Sequence, residues 1–244
     1  MPPKWKVLAE EIAAKIASGE YAPGERLPRI EDLAGTGKGS KTTVHAAYKA
    51  LEAEGLVVSS RGHGTVVRER TPMSSGAERE QRSRLTGSSW RDGERSDSHM
   101  AGIVSAPADV AEALGLRAGD LVLRRSRTYR DARTSDVISH STSWIPAGFA
   151  EDLPDLAMGK RLRDGTTIDM ITQHTGRPVA RRISSVWARM TTPADAALLE
   201  IPEDTRAAVV VLTVRIIDTS GMTIEYGVDV GGPGRRWTKE EVVA

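Results

Sequence analysis

The chain has 244 residues, 39% apolar and 27% charged, enough to fold as one large or two small domains and too apolar for a wholly disordered chain. No apolar run approaches the roughly 18–20 residues that span a bilayer. The opening MPPKWKVLAEE lacks the apolar stretch of a secretory signal, and without cysteine there is no disulfide, thiol nucleophile or cysteine-based zinc site, so the expectation is a cytoplasmic protein. The formal charge of +1, taken as a total, argues against a nucleic-acid partner.

The elements divide that charge unevenly. Residues 1–68 hold 10 basic and 8 acidic side chains. Val7, Leu8, Ile12 and Ile16 recur at helical spacing, and Gly19 stops that helix. YAPGERLP is a turn-rich bridge, followed by a short helix over Arg29–Ala34 that Gly35 ends. Ser40 caps a helix predicted over Lys41–Glu54, with Val44, Ala47, Tyr48 and Leu51 inward and Gly55 as the stop. Two β-branched runs, Leu56–Val58 and Thr65–Val67, flank Arg61-Gly62-His63-Gly64 and read as a hairpin. Three helices and a hairpin in this order form a winged helix-turn-helix layout.

Residues 69–98 carry 6 basic and 6 acidic side chains, with only Met73, Leu85 and Trp90 as large apolar residues. A stretch so poor in apolar surface and rich in serine, glycine and charge is expected to be a linker. Residues 99–244, with 18 basic and 19 acidic side chains, alternate helix and strand. Helices are predicted over Pro107–Leu114 and Thr166–Thr175, and a third follows a cap at Thr192 with Pro193 in its first position and Asp195 three residues on. Strands are predicted over Leu121–Tyr129, Val137–Ile145, Ala207–Ile217 and Met222–Val230, the last two joined through Asp218-Thr219-Ser220-Gly221. APADVAEALGLRAGDLVL (106–123) resembles TPADAALLEIPEDTRAAVVV (192–211), which suggests one antiparallel sheet made of two similar halves, with chance convergence as the alternative. The expectation is an α+β chain of two domains, 1–68 and 99–244.

GTGKGSKTT (35–43) has the look of a phosphate loop, but Ser40 rather than glycine precedes Lys41, a short helix rather than a strand comes before it, and no acidic strand end follows to hold magnesium. The same residues serve better as a DNA reader. Lys41, Thr42, Thr43 and His45 begin one helix capped by Ser40, with Lys38 just before it and Lys49 one turn further, and no acid occurs between positions 33 and 51. A recognition helix reads base edges with its first residues, lysine donating to guanine and threonine touching a thymine methyl. Arg61, His63 and Gly64 sit at the hairpin tip, where glycine permits close approach to DNA and arginine suits a narrow minor groove. In the second domain, Arg125 and Arg127 share a strand face with Leu121 and Leu123, and Arg124 takes the other. Two arginines among aliphatic residues need partners or a ligand, so they clamp a carboxylate or phosphate, pair internally with Glu225 or are solvated at a strand edge, and Glu225 is either their partner or a group that reads the donors of a polyol. His45, His63, His99, His140 and His174 show no metal-ligand spacing, and no nucleophile, base and orienting group converge, so neither cofactor, metal nor catalysis is expected.

The stretches GEYAPGERLP, SKTTV, LEAEGLV and RGHGTVV together resemble the GntR family of bacterial transcription regulators. DLVLRRSRTYRD, STSWIP and TIEYGVDV resemble the UTRA effector domain of its HutC subfamily. The resemblance implies a winged helix-turn-helix followed by a chorismate-lyase-like antiparallel α/β domain that binds a small effector, anionic if the arginines clamp it, and dimerises. It implies a regulator, most simply a repressor that holds a palindromic double-stranded operator as a homodimer and is released by the effector, with no membrane partner. A lyase-like enzyme and a DNA binder without a ligand are the alternatives. Carried over residue by residue, Lys41, Thr42, Thr43 and His45 fall on recognition-helix contacts and His63-Gly64 on the wing. Arg127 and Glu225 fall on effector positions, with Arg125, Ser141 and Thr166 completing that set. The departures are specific. Glu31 stands where a basic contact is expected, so Arg29 is the substitute, and Lys41 and His45 replace the commoner arginines. Ser141 stands where sugar-phosphate binders carry an acid, and Gly231 where a late tyrosine is expected.

Overall fold

A computed structural model describes residues 2–60, 64–68, 72–132, 134–160, 162, 165–203 and 207–238. By its internal contacts the chain divides into two compact units. The first comprises the residues up to Pro72 together with Arg189–Val209 and Gly232–Arg236; the second comprises Met73–Ala188 and Val210–Gly231 together with the residues from Trp237.

In the first unit, helices α1 (Lys4–Ser18), α2 (Ile30–Gly35) and α3 (Lys41–Ala53) precede an antiparallel hairpin of β1 (Val57–Ser60) and β2 (Gly64–Val67). Their apolar faces meet in one cluster that includes Leu8, Ile12, Leu27, Leu33, Val44, Tyr48, Leu51, Val57 and Val67. α1 ends where Gly19 turns left-handed at φ 83°. The turn-rich bridge does more than turn: Arg26 bridges Val66, and Leu27 N–H donates to Thr65 C=O at 2.8 Å, so it lies along β2 as a third extended segment. Buried Tyr48 on α3 donates its hydroxyl to the Pro28 carbonyl at 2.7 Å, and burial followed by the neighbouring Tyr21 pushes its pKa up to about 12.

The second sheet has six strands: β3 (Glu94–Ser105), β4 (Leu121–Asp131), β5 (Val137–Pro146), β6 (Val179–Met190), β7 (Ala208–Asp218) and β8 (Thr223–Gly231). Their spatial order is β3-β4-β5-β8-β7-β6. The remaining helices are α4 (Gly76–Thr86), α5 (Ala108–Leu114), α6 (Gly148–Asp152), α7 (Thr167–Thr175) and α8 (Pro193–Leu199), with a 3-10 turn at Pro154–Ala157. The chain therefore runs strand, helix, strand, strand twice, as β3-α5-β4-β5 and β6-α8-β7-β8. The two halves meet where β5 pairs antiparallel with β8, which gives the repeat in the sequence a physical meaning.

Residues 69–98 differ from the linker expected there. Ser75 caps α4 through a full capping box with Glu78, β3 begins at Glu94, and Met73 is wholly buried beside Tyr129, Ile138 and Leu212. The reason is that α4 buries charge rather than hydrocarbon: Arg79 and Glu80 are its buried residues. Among the described residues, no helix is long and apolar enough to cross a membrane.

Candidate DNA-reading helix and effector pocket

At the head of α3, the Ser40 hydroxyl accepts from Thr43 N–H at 3.2 Å and lies 3.0 Å from the Thr43 hydroxyl. Gly39 is required there, because a Cβ on it would stand 2.7 Å from Thr43 Cγ2. Val44, Ala47, Tyr48 and Leu51 face the core, which leaves Lys41, Thr42, His45 and Lys49 exposed along one side and Thr43 half-exposed. Arg29, at the N-cap of α2, is exposed as well. The window that is free of acid in sequence is not free of acid in space. Glu31 of α2 lies 3.6 Å from Lys41 Nζ, and Glu11 of α1 bonds Lys38. Gly64 opens β2 at φ 75°, while Arg61, Gly62 and His63 lie outside the described residues.

The effector candidates gather on one face of the six-stranded sheet. Register sets Arg125 opposite Ser143 and Ser143 opposite Gly227, and sets Arg127 opposite Ser141 and Ser141 opposite Asp229. The alternation expected on β4 holds: Leu123 sits in the core on the side of Arg125 and Arg127, whereas Val122 packs in a second cluster on the other. Glu225, from β8, completes a polar concavity lined also by Thr166, His99 and, from α4 and the residues after it, Gly76, Arg79, Glu80, Ser83, Gly87 and Ser89.

The five candidates have different duties. Arg125 donates to the carbonyls of Leu156, Met158 (3.1 Å) and Lys160 (3.0 Å), so its guanidinium shapes the turn beside the pocket. Arg127 makes no hydrogen bond among the described residues; its guanidinium lies 5.4 Å from the centre of the Tyr129 ring and acts on Glu225 and Arg125 through charge alone. The internal Arg–Glu pair considered from sequence is not formed. Glu225 instead accepts from the Ser143 hydroxyl at 2.8 Å, and its buried Oε2 has no partner. Burial pushes the Glu225 pKa up to about 7 against the opposing Ser143 hydrogen bond, with Glu80 adding to the rise and Arg127 and Arg125 reducing it. The Thr166 hydroxyl is engaged in a capping box with Asp169, donating at 2.7 Å, so it lines the pocket while serving α7. Ser141 is buried beside the unengaged Arg127.

Two residues that sequence reasoning passed over stand out. Arg79 is fully buried, donates to Asp229 Oδ1 at 2.6 Å and to Ser139 at 3.2 Å, and lies 3.6 Å from the Tyr129 ring centre. Asp229 also accepts from Gly76 N–H at 3.0 Å, so α4 is anchored to β8 at the pocket floor. The only sequence signal was an isolated capping motif, Ser75-x-x-Glu78. The tyrosine absent at Gly231 also finds its explanation, because the Met73 thioether fills the space a side chain would need.

A winged helix-turn-helix reader and an antiparallel-sheet domain with a small polar pocket, carried on one chain, define a DNA-binding regulator with a sensor. The chain belongs to the GntR family: residues 5–67 match the bacterial regulatory proteins of that family and residues 95–231 match the UTRA domain. It is a transcriptional regulator rather than an enzyme, and the pairing of these two domains is the HutC-type architecture. It is 32% identical to an uncharacterized HTH-type transcriptional regulator of Streptomyces coelicolor, over 93% of this chain and 88% of that one. It is 29% identical to the HTH-type transcriptional regulator GgaR of Escherichia coli, over 93% and 86% of the two chains. A crystal structure of a GntR-family regulator aligns with a TM-score of 0.56 at 24% identity, covering 99% of this chain and 98% of that one. PhnF of Mycobacterium smegmatis aligns at 0.51 and 20% identity, covering 97% and 98%. These two likenesses speak to the fold.

Proposed function

We propose that this regulator is a repressor that binds a palindromic operator as a homodimer and lets go when a small molecule enters the sheet-domain pocket. The observation that carries the reading is a pair of unfulfilled groups on one polar face. Among the described residues, Arg127 has no hydrogen-bond partner, and the buried Glu225 Oε2 atom accepts no hydrogen bond. An unsatisfied buried polar atom costs free energy, and a ligand that presents an anionic group to one and a hydrogen-bonding group to the other relieves both. Ser141, Thr166 and Arg125 complete the pocket wall. The reading set is Arg29, Lys38, Ser40, Lys41, Thr42, Thr43, His45 and Lys49 with the wing residues Arg61, His63 and Gly64, α3 entering the major groove.

The test is a mobility-shift assay with promoter fragments flanking the gene, with and without candidate metabolites. Absence of sequence-preferring binding at low salt sinks the operator reading. A thermal-shift screen in which no metabolite stabilises the protein, despite operator binding, favours a DNA binder without a ligand. Lys41→Ala is expected to weaken specific binding by ~1–3 kcal/mol if Lys41 reads a guanine; unchanged affinity and unchanged base preference remove it from the reading set.

A further inference from the structure

α2 and α3 set opposite charges side by side on the exposed face of the reader. Lys41 opens α3, and its Nζ lies 3.6 Å from Glu31 Oε1 of α2, with the two side chains 68% and 63% exposed. An ion pair so open to water contributes little to folding. An acid is also costly on a face that must approach phosphates, because the two charges repel. Acids in the first turn of α2 favour that helix, but Asp32 lies in the same turn, is exposed as well and serves the same end. Glu31 differs from it in meeting Lys41.

A carboxylate on DNA gains where a base edge presents a donor, and in the major groove the N4 amino group of cytosine is such a donor. The guanine paired with it presents O6 and N7 as acceptors, and O6 lies one hydrogen bond, ~2.9 Å, from N4 across the pair. One G·C pair therefore shows two acceptors and then a donor along its groove edge. An ammonium with a carboxylate 3.6 Å away is the complement of that row.

We propose that Lys41 and Glu31 together read one G·C base pair in each half-site, Lys41 donating to guanine O6 and N7 and Glu31 accepting from N4 of the paired cytosine. This rests on the operator reading above, with α3 in the major groove, and goes beyond it by adding a residue to the reading set and naming the base pair. The reversed pair is rejected, because it sets guanine acceptors against the carboxylate and the cytosine amino group against the ammonium. An A·T pair sets thymine O4 against the carboxylate. A T·A pair does offer an acceptor beside a donor, thymine O4 and adenine N6, but it puts the thymine methyl before the ammonium and adenine N7, an acceptor, before the carboxylate. The ion pair also holds both side chains in place before DNA arrives, so less rotamer freedom is lost on binding.

Selection from random-sequence duplexes with the full chain, followed by affinity measurements on single-base variants of the selected operator, tests this. Glu31→Gln keeps the size of the side chain, removes its charge and offers the group that pairs with adenine N6 and N7. Lys41→Ala removes the ammonium, and Asp32→Asn controls for the loss of a charge alone. The expected result is one G·C pair per half-site that wild type and Asp32→Asn prefer at least ~10-fold over the other three pairs, and at which Glu31→Gln and Lys41→Ala each lose at least ~5-fold of that preference. Losses at two different positions overturn the shared reading. A Glu31→Gln variant that keeps the preference within twofold and binds every sequence more tightly overturns it as well, and makes Glu31 a screen for Lys41. Both of those outcomes spare the operator reading, whereas a wild type that selects no sequence sinks it too. Should the variants fail to fold, the wild type decides on operators in which each selected cytosine in turn is N4-methylcytosine, whose methyl replaces the amino hydrogen that faces the groove. A position where binding falls at least ~10-fold supports the proposal, and binding within twofold of the unmodified operator at every position overturns it.

Discussion

At the scale of single residues, the pocket keeps its chemistry in a state that water would not. Glu225 titrates near neutrality because its carboxylate is buried with one oxygen unpaired. The sign of the consequence follows from linkage. In the unfolded chain this carboxyl ionises around 4.5, and in the folded chain at about 7. Between those values the folded state binds the extra proton, so Glu225 costs stability progressively as pH rises through that window and leaves a constant penalty above it. Glu225→Gln keeps the hydrogen bond from Ser143 and abolishes the ionisation. Its melting temperature is expected to vary less than wild type between pH 5 and 8 and to exceed wild type at pH 8, where the stability gain is at most on the order of 3 kcal/mol. Parallel pH–melting curves for the two proteins would show that Glu225 does not titrate in this range. The same proton has a functional side, since a neutral Glu225 can donate to a ligand oxygen and leaves Arg127 as the uncompensated charge of the pair.

At the scale of elements, α4 holds its place by ionic contacts rather than by an apolar stripe. Arg79 reaches Asp229, Glu80 reaches Arg182 and Arg84, and Arg84 reaches Asp169 at 2.8 Å. Removing one member of a buried pair strands the other. Asp229→Ala is therefore expected to destabilise by about 3–5 kcal/mol, whereas Arg79→Met combined with Asp229→Leu should recover most of that loss. Urea unfolding of both variants checks it, and a double variant as unstable as the single one would mean that packing around Tyr129, not the stranded charge, sets the cost. This architecture also explains what the sequence disclosed and what it hid. The reader was legible because Val44, Tyr48 and Leu51 on α3 repeat at helical spacing and Gly19 and Gly55 punctuate the helices. β4 was legible because Leu123, Arg125 and Arg127 alternate against Val122 and Arg124. α4 was hidden because apolar periodicity cannot report a helix that buries Arg79 and Glu80, whose partners lie 150 and 102 residues away. β6 was hidden because a strand exposed on both faces carries no alternation to read. The pocket was half legible for the same reason: its β-strand wall follows from alternation, and its α4 wall does not.

At the scale of the whole molecule, charge sets how the chain engages DNA. The total of +1 does not exclude a nucleic-acid partner, because the residues before position 69 are slightly basic and those after 98 slightly acidic. The reader's excess is nonetheless small, and Glu31 and Glu11 lie against two of its lysines. Few phosphate contacts per reader mean weak non-specific binding and a shallow salt slope for one head alone. On the proposed homodimer reading, useful affinity comes from two heads on one operator, the second engaging at a high effective concentration. A duplex that carries one half of the operator makes this testable, because it offers the second head no site. Against the full operator obtained by selection from random sequence, the half-site duplex is expected to be bound ~10²–10⁴-fold more weakly at equal protomer concentration. Its slope of log affinity against log salt between 50 and 200 mM should be about half as steep, since half the phosphates are neutralised. Fluorescence anisotropy across that salt range measures both. Half-site affinity within threefold of the full operator with an unchanged slope would mean that each head binds independently.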